Sequence, residues 1–280
     1  VVITLISLRM IFTLGLVLVS ISTMTVSAKT NSAPRVHYNI KIESPHSHYA
    51  KVTLRIEDVQ PGAMDIYMPI WTPGSYLARE FAKNVESVNA IGLTADESKM
   101  VFIEKPINFG KTVEFTKTNK NTWRIMVPKG VQSVEFTYSV YCFELSVRTS
   151  FIDDDQALLN MASVLMFVEG KEKMPGQLTI VSPAGWKSST SPLSFMSQEP
   201  MESHPTELFA EFENYDELVD SPVQLGNFQT FEFEVSNVKH HVALVGKNNA
   251  NVEKLKLDMQ HICQTMTNIV GVHPCKSYTF

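Results

Sequence analysis

Val134-Glu135-Phe136-Thr137-Tyr138-Ser139-Val140 alternates apolar and polar residues along its whole length. Successive side chains on a strand point to opposite faces, so Val134, Phe136, Tyr138 and Val140 share one face and mark the buried side of a strand. The same period recurs upstream at Val36, Tyr38, Ile40 and Ile42, at Val52, Leu54 and Ile56, and at Ile66, Met68 and Ile70. Downstream it returns at Phe231, Phe233 and Val235. Turn signals separate these runs: Pro61-Gly62, Pro73-Gly74, Pro128-Lys129-Gly130 and Pro183-Ala184-Gly185. Many short strands at this spacing predict a mostly β fold, a β-sandwich-like domain over residues 36–238.

The pattern changes near the end of the chain. Between Ala250 and Val270 the apolar positions are Val252, Leu255, Met259, Ile262, Cys263, Met266 and Ile269. Steps of three and four place them on one stripe of a helix. Gly271 and then Pro274 supply its stop. Ser277-Tyr278-Thr279-Phe280 reads as the start of a strand. One helix and a strand stub cannot bury a core, so residues 239–280 are expected to open a second, truncated domain.

Hydrophobic residues make up 44% and charged residues 19% of the 280 positions, which suits a chain with a real core and not a disordered one. The net charge of −5 and the lack of a long basic run argue against nucleic-acid binding. Residues 10–28, MIFTLGLVLVSISTMTVSA, follow Arg9 and end in Val26-Ser27-Ala28. This is the pattern of a signal peptide cut before Lys29, with 1–28 as the signal and 29–35 as a polar linker. The expected location is therefore exported, periplasmic or extracellular. A membrane anchor is the rival reading, and the apolar run is short for it. Membrane contact is expected only through an uncleaved signal. Three cysteines, Cys142, Cys263 and Cys275, leave at least one unpaired. An exporting compartment allows a Cys263–Cys275 bridge, and three buried thiols is the other reading.

Catalytic signatures are absent from the sequence. None of the eight histidines begins an H-E-x-x-H, and there is no G-x-S-x-G, P-loop or G-x-G-x-x-G. His46 and His48 lie near a turn, while His240 and His241 are neighbours on a strand and point to opposite faces, so neither pair suits a shared metal. Asp153-Asp154-Asp155 could attract a cation, yet it lacks the glycine and distal glutamate of a calcium loop. Two further segments carry more chemistry than an ordinary loop. In Trp71-Thr72-Pro73-Gly74-Ser75-Tyr76, with Arg79 nearby, a tight turn is bracketed by aromatic rings, either as a structural corner or as a ligand-facing rim. In Tyr215 to Pro222, Asp220-Ser221-Pro222 reads as a turn with carboxylate-to-backbone bonds.

Taken in order, these segments resemble a known family. The Trp71–Tyr76 element is joined by Trp123, by Tyr138 to Tyr141, by Val147-Arg148-Thr149 with the Asp-rich turn, by Pro183 to Trp186 and by Tyr215 to Pro222. His240 to Gly246, the 250–270 helix, Pro274, Tyr278 and Phe280 complete the series. The chain from Val36 to Phe280 resembles the glycyl aminopeptidase family of zinc metallopeptidases. That resemblance implies an N-terminal β domain followed by an α-rich, thermolysin-like catalytic domain whose zinc ligands and base would lie beyond Phe280. It implies peptide substrates and zinc for the longer parent, and neither a cofactor nor a catalytic or metal-binding residue in this chain. The residues it offers toward substrate are Arg148, Asp153 and Asn160. The alternative is a stand-alone exported β-sandwich that binds a peptide or a protein.

Overall fold

A computed structural model describes residues 36–72, 74–98, 110–197 and 203–280. The segment read as signal and linker lies outside the described residues. In chain order the strands are β1 (Val36–Lys41), β2 (Tyr49–Glu57), β3 (Gly62–Tyr67), β4 (Val85–Leu93), β5 (Lys111–Thr112), β6 (Phe115–Lys117), β7 (Thr122–Val127), β8 (Ser133–Tyr141), β9 (Phe151–Ile152) and β10 (Gln156–Leu159). They continue as β11 (Phe167–Val168), β12 (Gly176–Ser182), β13 (Ser188–Thr190), β14 (Met196–Ser197), β15 (Thr206–Phe212), β16 (Val223–Gly226), β17 (Gln229–Val235), β18 (Val238–Leu244) and β19 (Ser277–Thr279). Helices α1 (Ala95–Ser98) and α2 (Tyr215–Val219) are short, and α3 (Val252–Val270) is the long one. The mostly β fold expected from the sequence is the fold observed.

One large sheet runs β14-β15-β12-β1-β2-β8-β4-β5, with β1 and β12 parallel. Two smaller sheets, β13-β16-β10-β9 and β11-β3-β7-β6, share a single hydrophobic core with it. Strand β8 shows how the core forms. Val134, Phe136, Tyr138 and Val140 are all buried. The Phe136 ring meets Phe115, Trp123 and Tyr138 at centroid distances of 6.0, 6.5 and 5.9 Å. Those partners come from the adjacent sheet as well as from β8 itself, which is how one sheet seals another. Arg55, 2% exposed, sits opposite Glu135 across β2 and β8, with Glu135 3.8 Å and Glu57 3.5 Å away. A guanidinium held this deep requires those carboxylates to offset its lost hydration.

Part of the core is not regular structure at all. Val164, Leu165 and Met166 are fully buried, yet they belong to no strand. Backbone polar groups placed there need partners. Three tyrosines supply them. Tyr38 donates to the Met166 carbonyl at 2.7 Å, and Tyr215 donates to the Leu165 carbonyl at 2.6 Å. Tyr138 donates to the Val164 carbonyl at 3.0 Å and accepts from the Met166 N–H at 2.9 Å. Burial pushes all three phenols above their ordinary range, so they remain protonated donors.

Several local expectations change. The third strand ends at Tyr67, and Ile70 is exposed where the chain leaves the sheet. The 215–222 segment is a helical turn, not a turn closed by Asp220. Asn214 caps α2 by accepting from the Glu217 N–H at 2.9 Å, and Ser221 donates to the Glu217 carbonyl at 2.8 Å. The three cysteines are all free thiols, with Cys263 and Cys275 unbridged.

The final sheet, β17-β18-β19, stands on its own small cluster. Strands β17 and β18 form one hairpin that straddles residue 238, the end the sequence suggested for the β domain. Cross-strand pairs such as Phe233 with His240 tie residues 229–235 to 238–244. The change of sheet falls between Gly226 and Gln229. Helix α3 covers the hairpin through Met259 and Cys263. Asn251 caps it by accepting from the Lys254 N–H at 3.0 Å, and Gly271 at φ 88° ends it in the left-handed conformation that glycine adopts without strain.

Candidate functional site

Arg148, Asp153 and Asn160, singled out from sequence, lie on three neighbouring segments around β9 and β10. Leaving β8, the chain turns through residues 142–150 before β9. Thr149 donates to the Glu144 carbonyl at 2.6 Å and shares a 2.7 Å bond with Ser146. Asn160 fastens this loop from outside: its Nδ2 donates to the Val147 carbonyl at 3.0 Å, and its N–H donates to Ser150 Oγ at 2.9 Å. Ser150 and Ser163 are 2.7 Å apart at the base of the loop. Arg148 is exposed at its tip. Asp153 is engaged elsewhere, with one carboxylate oxygen accepting from the N–H groups of Asp155 and Gln156 at 2.9 Å each. That closes the β9–β10 turn and is the local geometry of an aspartate in a tight bend.

A small cavity of about 150 Å³ opens under this loop, lined by Lys83, Tyr141, Phe143, Thr149, Ser150 and Ser163. Its hydroxyls bond to one another and to backbone, and none of these bonds reaches a histidine or a carboxylate. The arrangement holds a loop and a surface, not an activated nucleophile. Phe143, Leu145 and Val147 are exposed along it. Sequence reasoning missed Ser150 and Ser163, because a bond across thirteen residues leaves no periodic signal.

A second constellation forms only in three dimensions. Parallel pairing of β18 with β19 brings His273 to His240, with Nε2 atoms 3.1 Å apart. His240 is buried, stacks on Phe233 at 4.8 Å and lies 3.0 Å from the Val238 carbonyl through Nδ1. A carbonyl only accepts, so His240 Nδ1 carries a proton, and His273 Nδ1 lies in the same way 3.1 Å from the Cys275 carbonyl. Burial pushes the His240 imidazole down, keeping it neutral. Beside the pair an apolar groove of about 330 Å³ runs between α3 and the segment ending in Tyr278 and Phe280. The helix stripe facing it is open: Ile262 is 60% and Val270 64% exposed.

Among the described residues no three His, Cys, Asp or Glu side chains converge to hold a metal. The zinc implied by the resemblance therefore has no ligand set among them. Cys142 is no substitute, since burial pushes its thiol up to about 12. Among the described residues, no helix is long and apolar enough to cross a membrane.

With this β architecture in place, the comparison with known proteins is direct. Residues 37–227 match the Peptidase M61 N-terminal domain, more than half of the chain, and the protein belongs to that family. A crystal structure of an aminopeptidase N family protein from Idiomarina loihiensis is 28% identical, with a TM-score of 0.75 over 88% of this chain and 38% of that one. An M1 zinc metallopeptidase from Deinococcus radiodurans, a mutant bound to a Tyr-Ser-Ala substrate, is 7% identical, with a TM-score of 0.47 over 88% of this chain and 55% of that one. No curated protein matches. The chain spans little more than a third of the length of the Idiomarina protein.

Proposed function

We propose that this chain is the N-terminal, non-catalytic part of an exported zinc metalloaminopeptidase, with the chemistry supplied by a longer polypeptide. The observation that carries the reading is the family match over residues 37–227 together with the Idiomarina likeness, which continues past it to 88% of the chain. The apolar face of α3 supports it. Exposed stripes of this kind mark surfaces that a further domain covers. Export rests on the signal pattern of residues 10–28. Arg148, Asp153 and Asn160 are the substrate-facing residues in this reading, with Asn160 holding the Arg148 loop and Asp153 also closing the neighbouring turn through one carboxylate oxygen.

In the parent, zinc would polarise the scissile carbonyl and activate water. The residues of this chain would bound the cleft and orient the peptide. The test compares this chain with the extended polypeptide encoded at its locus. Hydrolysis of glycyl-p-nitroanilide and bound zinc measured by atomic absorption should appear only with the extended form. Peptide release by the 280-residue chain at the rate of the extended one would overturn the reading. In the extended enzyme, Asn160→Ala should raise KM by freeing the loop that carries Arg148, with kcat little changed.

A further inference from the structure

We propose that the cavity beside the Trp71–Tyr76 corner binds the carboxylate of a peptide. Three separate segments build it. The corner is fixed by Trp71 Nε1 donating to the Ser75 carbonyl at 2.6 Å and by Ser75 N–H donating to the Thr72 carbonyl at 3.0 Å. The next segment is the 3₁₀ turn Phe81–Asn84, anchored by buried Phe81 and Ala82. The third is the β6–β7 turn, locked by Met68 N–H donating to the Asn121 carbonyl at 2.8 Å and by Asn121 Nδ2 donating to the Met68 carbonyl at 3.1 Å. Between them lies about 360 Å³, lined among others by Ile70, Arg79, Lys83, Lys117, Lys120 and Asn121. A space of that size takes a small ligand or the end of a peptide.

Its charge is the reverse of the chain's. Four cations face one carboxylate, Glu80, in a protein of net charge −5. Glu80 is already engaged by Lys120 at 2.8 Å, which holds its carboxyl below the usual range. Lys117 is held in place over the Trp123 ring, 4.5 Å from its centre. Arg79 decides the ligand. Its backbone N–H is tied to the Ile70 carbonyl, and its side-chain Nε is shielded from solvent without a hydrogen-bond partner among the described residues. An arginine fork matches a carboxylate through two parallel N–H bonds, and Arg79 lines the hollow with its Nε still lacking a partner among the described residues. Scattered solvated lysines are the alternative. They do not account for the shielded Nε or for the convergence of three anchored segments on one hollow. Ile70, Ala78 and Ala82 add an apolar wall, and Trp71 and Leu77 are exposed on the same corner. The ligand that fits is a carboxylate next to an apolar residue. The choice of a peptide as its bearer rests on the peptidase reading above.

The experiment is a calorimetric titration of the full chain with acetyl-Ala-Leu-Phe as the free acid, as the C-terminal amide, and as an amide carrying an internal Asp. The free acid should bind, and the plain amide should bind about tenfold or more weakly. Binding of the Asp-bearing amide in place of the free acid would assign the carboxylate to a side chain instead of a chain end, and would equally support the site. Arg79→Gln should weaken binding by about tenfold or more, and exposed Lys117→Gln by a few-fold, in low salt. The lysine variant keeps the test decisive if the arginine variant fails to fold. Equal affinity for acid and plain amide, no binding, indifference to both substitutions, or tighter binding of inorganic phosphate would overturn the inference. The titration needs no peptidase activity. Failure here with an active parent leaves the proposed function standing, and binding here with an inactive parent leaves the site standing.

Discussion

Strand β8 and helix α3 are both amphipathic in sequence, and the structure treats them differently. Phe136 and Tyr138 on β8 are fully buried within a core that unites three sheets, whereas no residue of α3 is buried. The cluster beneath α3 has three buried members, Phe233, Val235 and Val242. Local pattern is therefore enough to form a capped helix and a hairpin, but not to enclose them. The difference teaches that the β domain encloses its core with its own residues, while the terminal sheet and helix leave an apolar face exposed.

The largest expected effect separates the two regions outright. Phe136→Ala should cost about 3–5 kcal/mol by leaving a cavity among Phe115, Trp123 and Tyr138, read as a shift of the whole urea transition. Phe233→Ala should leave that transition in place and remove hydrogen-exchange protection from α3 alone. A single transition shifted equally by both would break the comparison.

Next comes the buried irregular segment. Tyr138→Phe removes the partner of the Val164 carbonyl and the Met166 N–H while keeping the ring, and should destabilise by about 1–3 kcal/mol. The urea midpoint measures it, and an unchanged midpoint would show that the tyrosine hydroxyls are not what holds residues 164–166.

The helix cap should be worth less. Asn251→Ala deletes the acceptor of the Lys254 N–H and should cost about 1 kcal/mol, confined to faster amide exchange in the first turn of α3. The smallest effect is on β3 and β7. Arg124 donates to both Asp65 oxygens at 2.7 Å and holds its carboxyl below the ordinary carboxylate range. A depressed carboxyl contributes stability above its unfolded pKa and loses it as pH falls through the folded value. Asp65→Asn should therefore cost up to about 1 kcal/mol at neutral pH, and its deficit should shrink as falling pH protonates the Asp65 carboxyl in the folded protein. A deficit that persisted in acid would mean that the pair's charge contributes nothing.

Much of this architecture was legible as pattern. Val134 to Val140 and Val36 to Ile42 alternate because a strand half in water must, and both strands stand where the alternation placed them. Helix α3 stops beside Gly271 because a helix stop is local chemistry, while the Asn251 cap at its start is seen only in the structure. Helix α2, Tyr215–Val219, leaves no signal of its own, because five residues are too few for periodicity to register, and only the turn at Asp220-Ser221-Pro222 is suggested there. The hairpin that crosses residue 238 pairs residues on both sides of it, and spacing alone does not show which strands pair.

The sequence by itself determined the β character, the terminal helix with its C-terminal stop, the family and the lack of any catalytic signature, since each depends on neighbours along the chain. Only the tertiary structure decided that three tyrosines satisfy a buried loop, that His240 meets His273, and that Arg79 shares a hollow with Lys83, Lys117 and Lys120. Those meetings join residues tens of positions apart. They are set by sheet register and core packing, and neither is written in any local stretch of the chain.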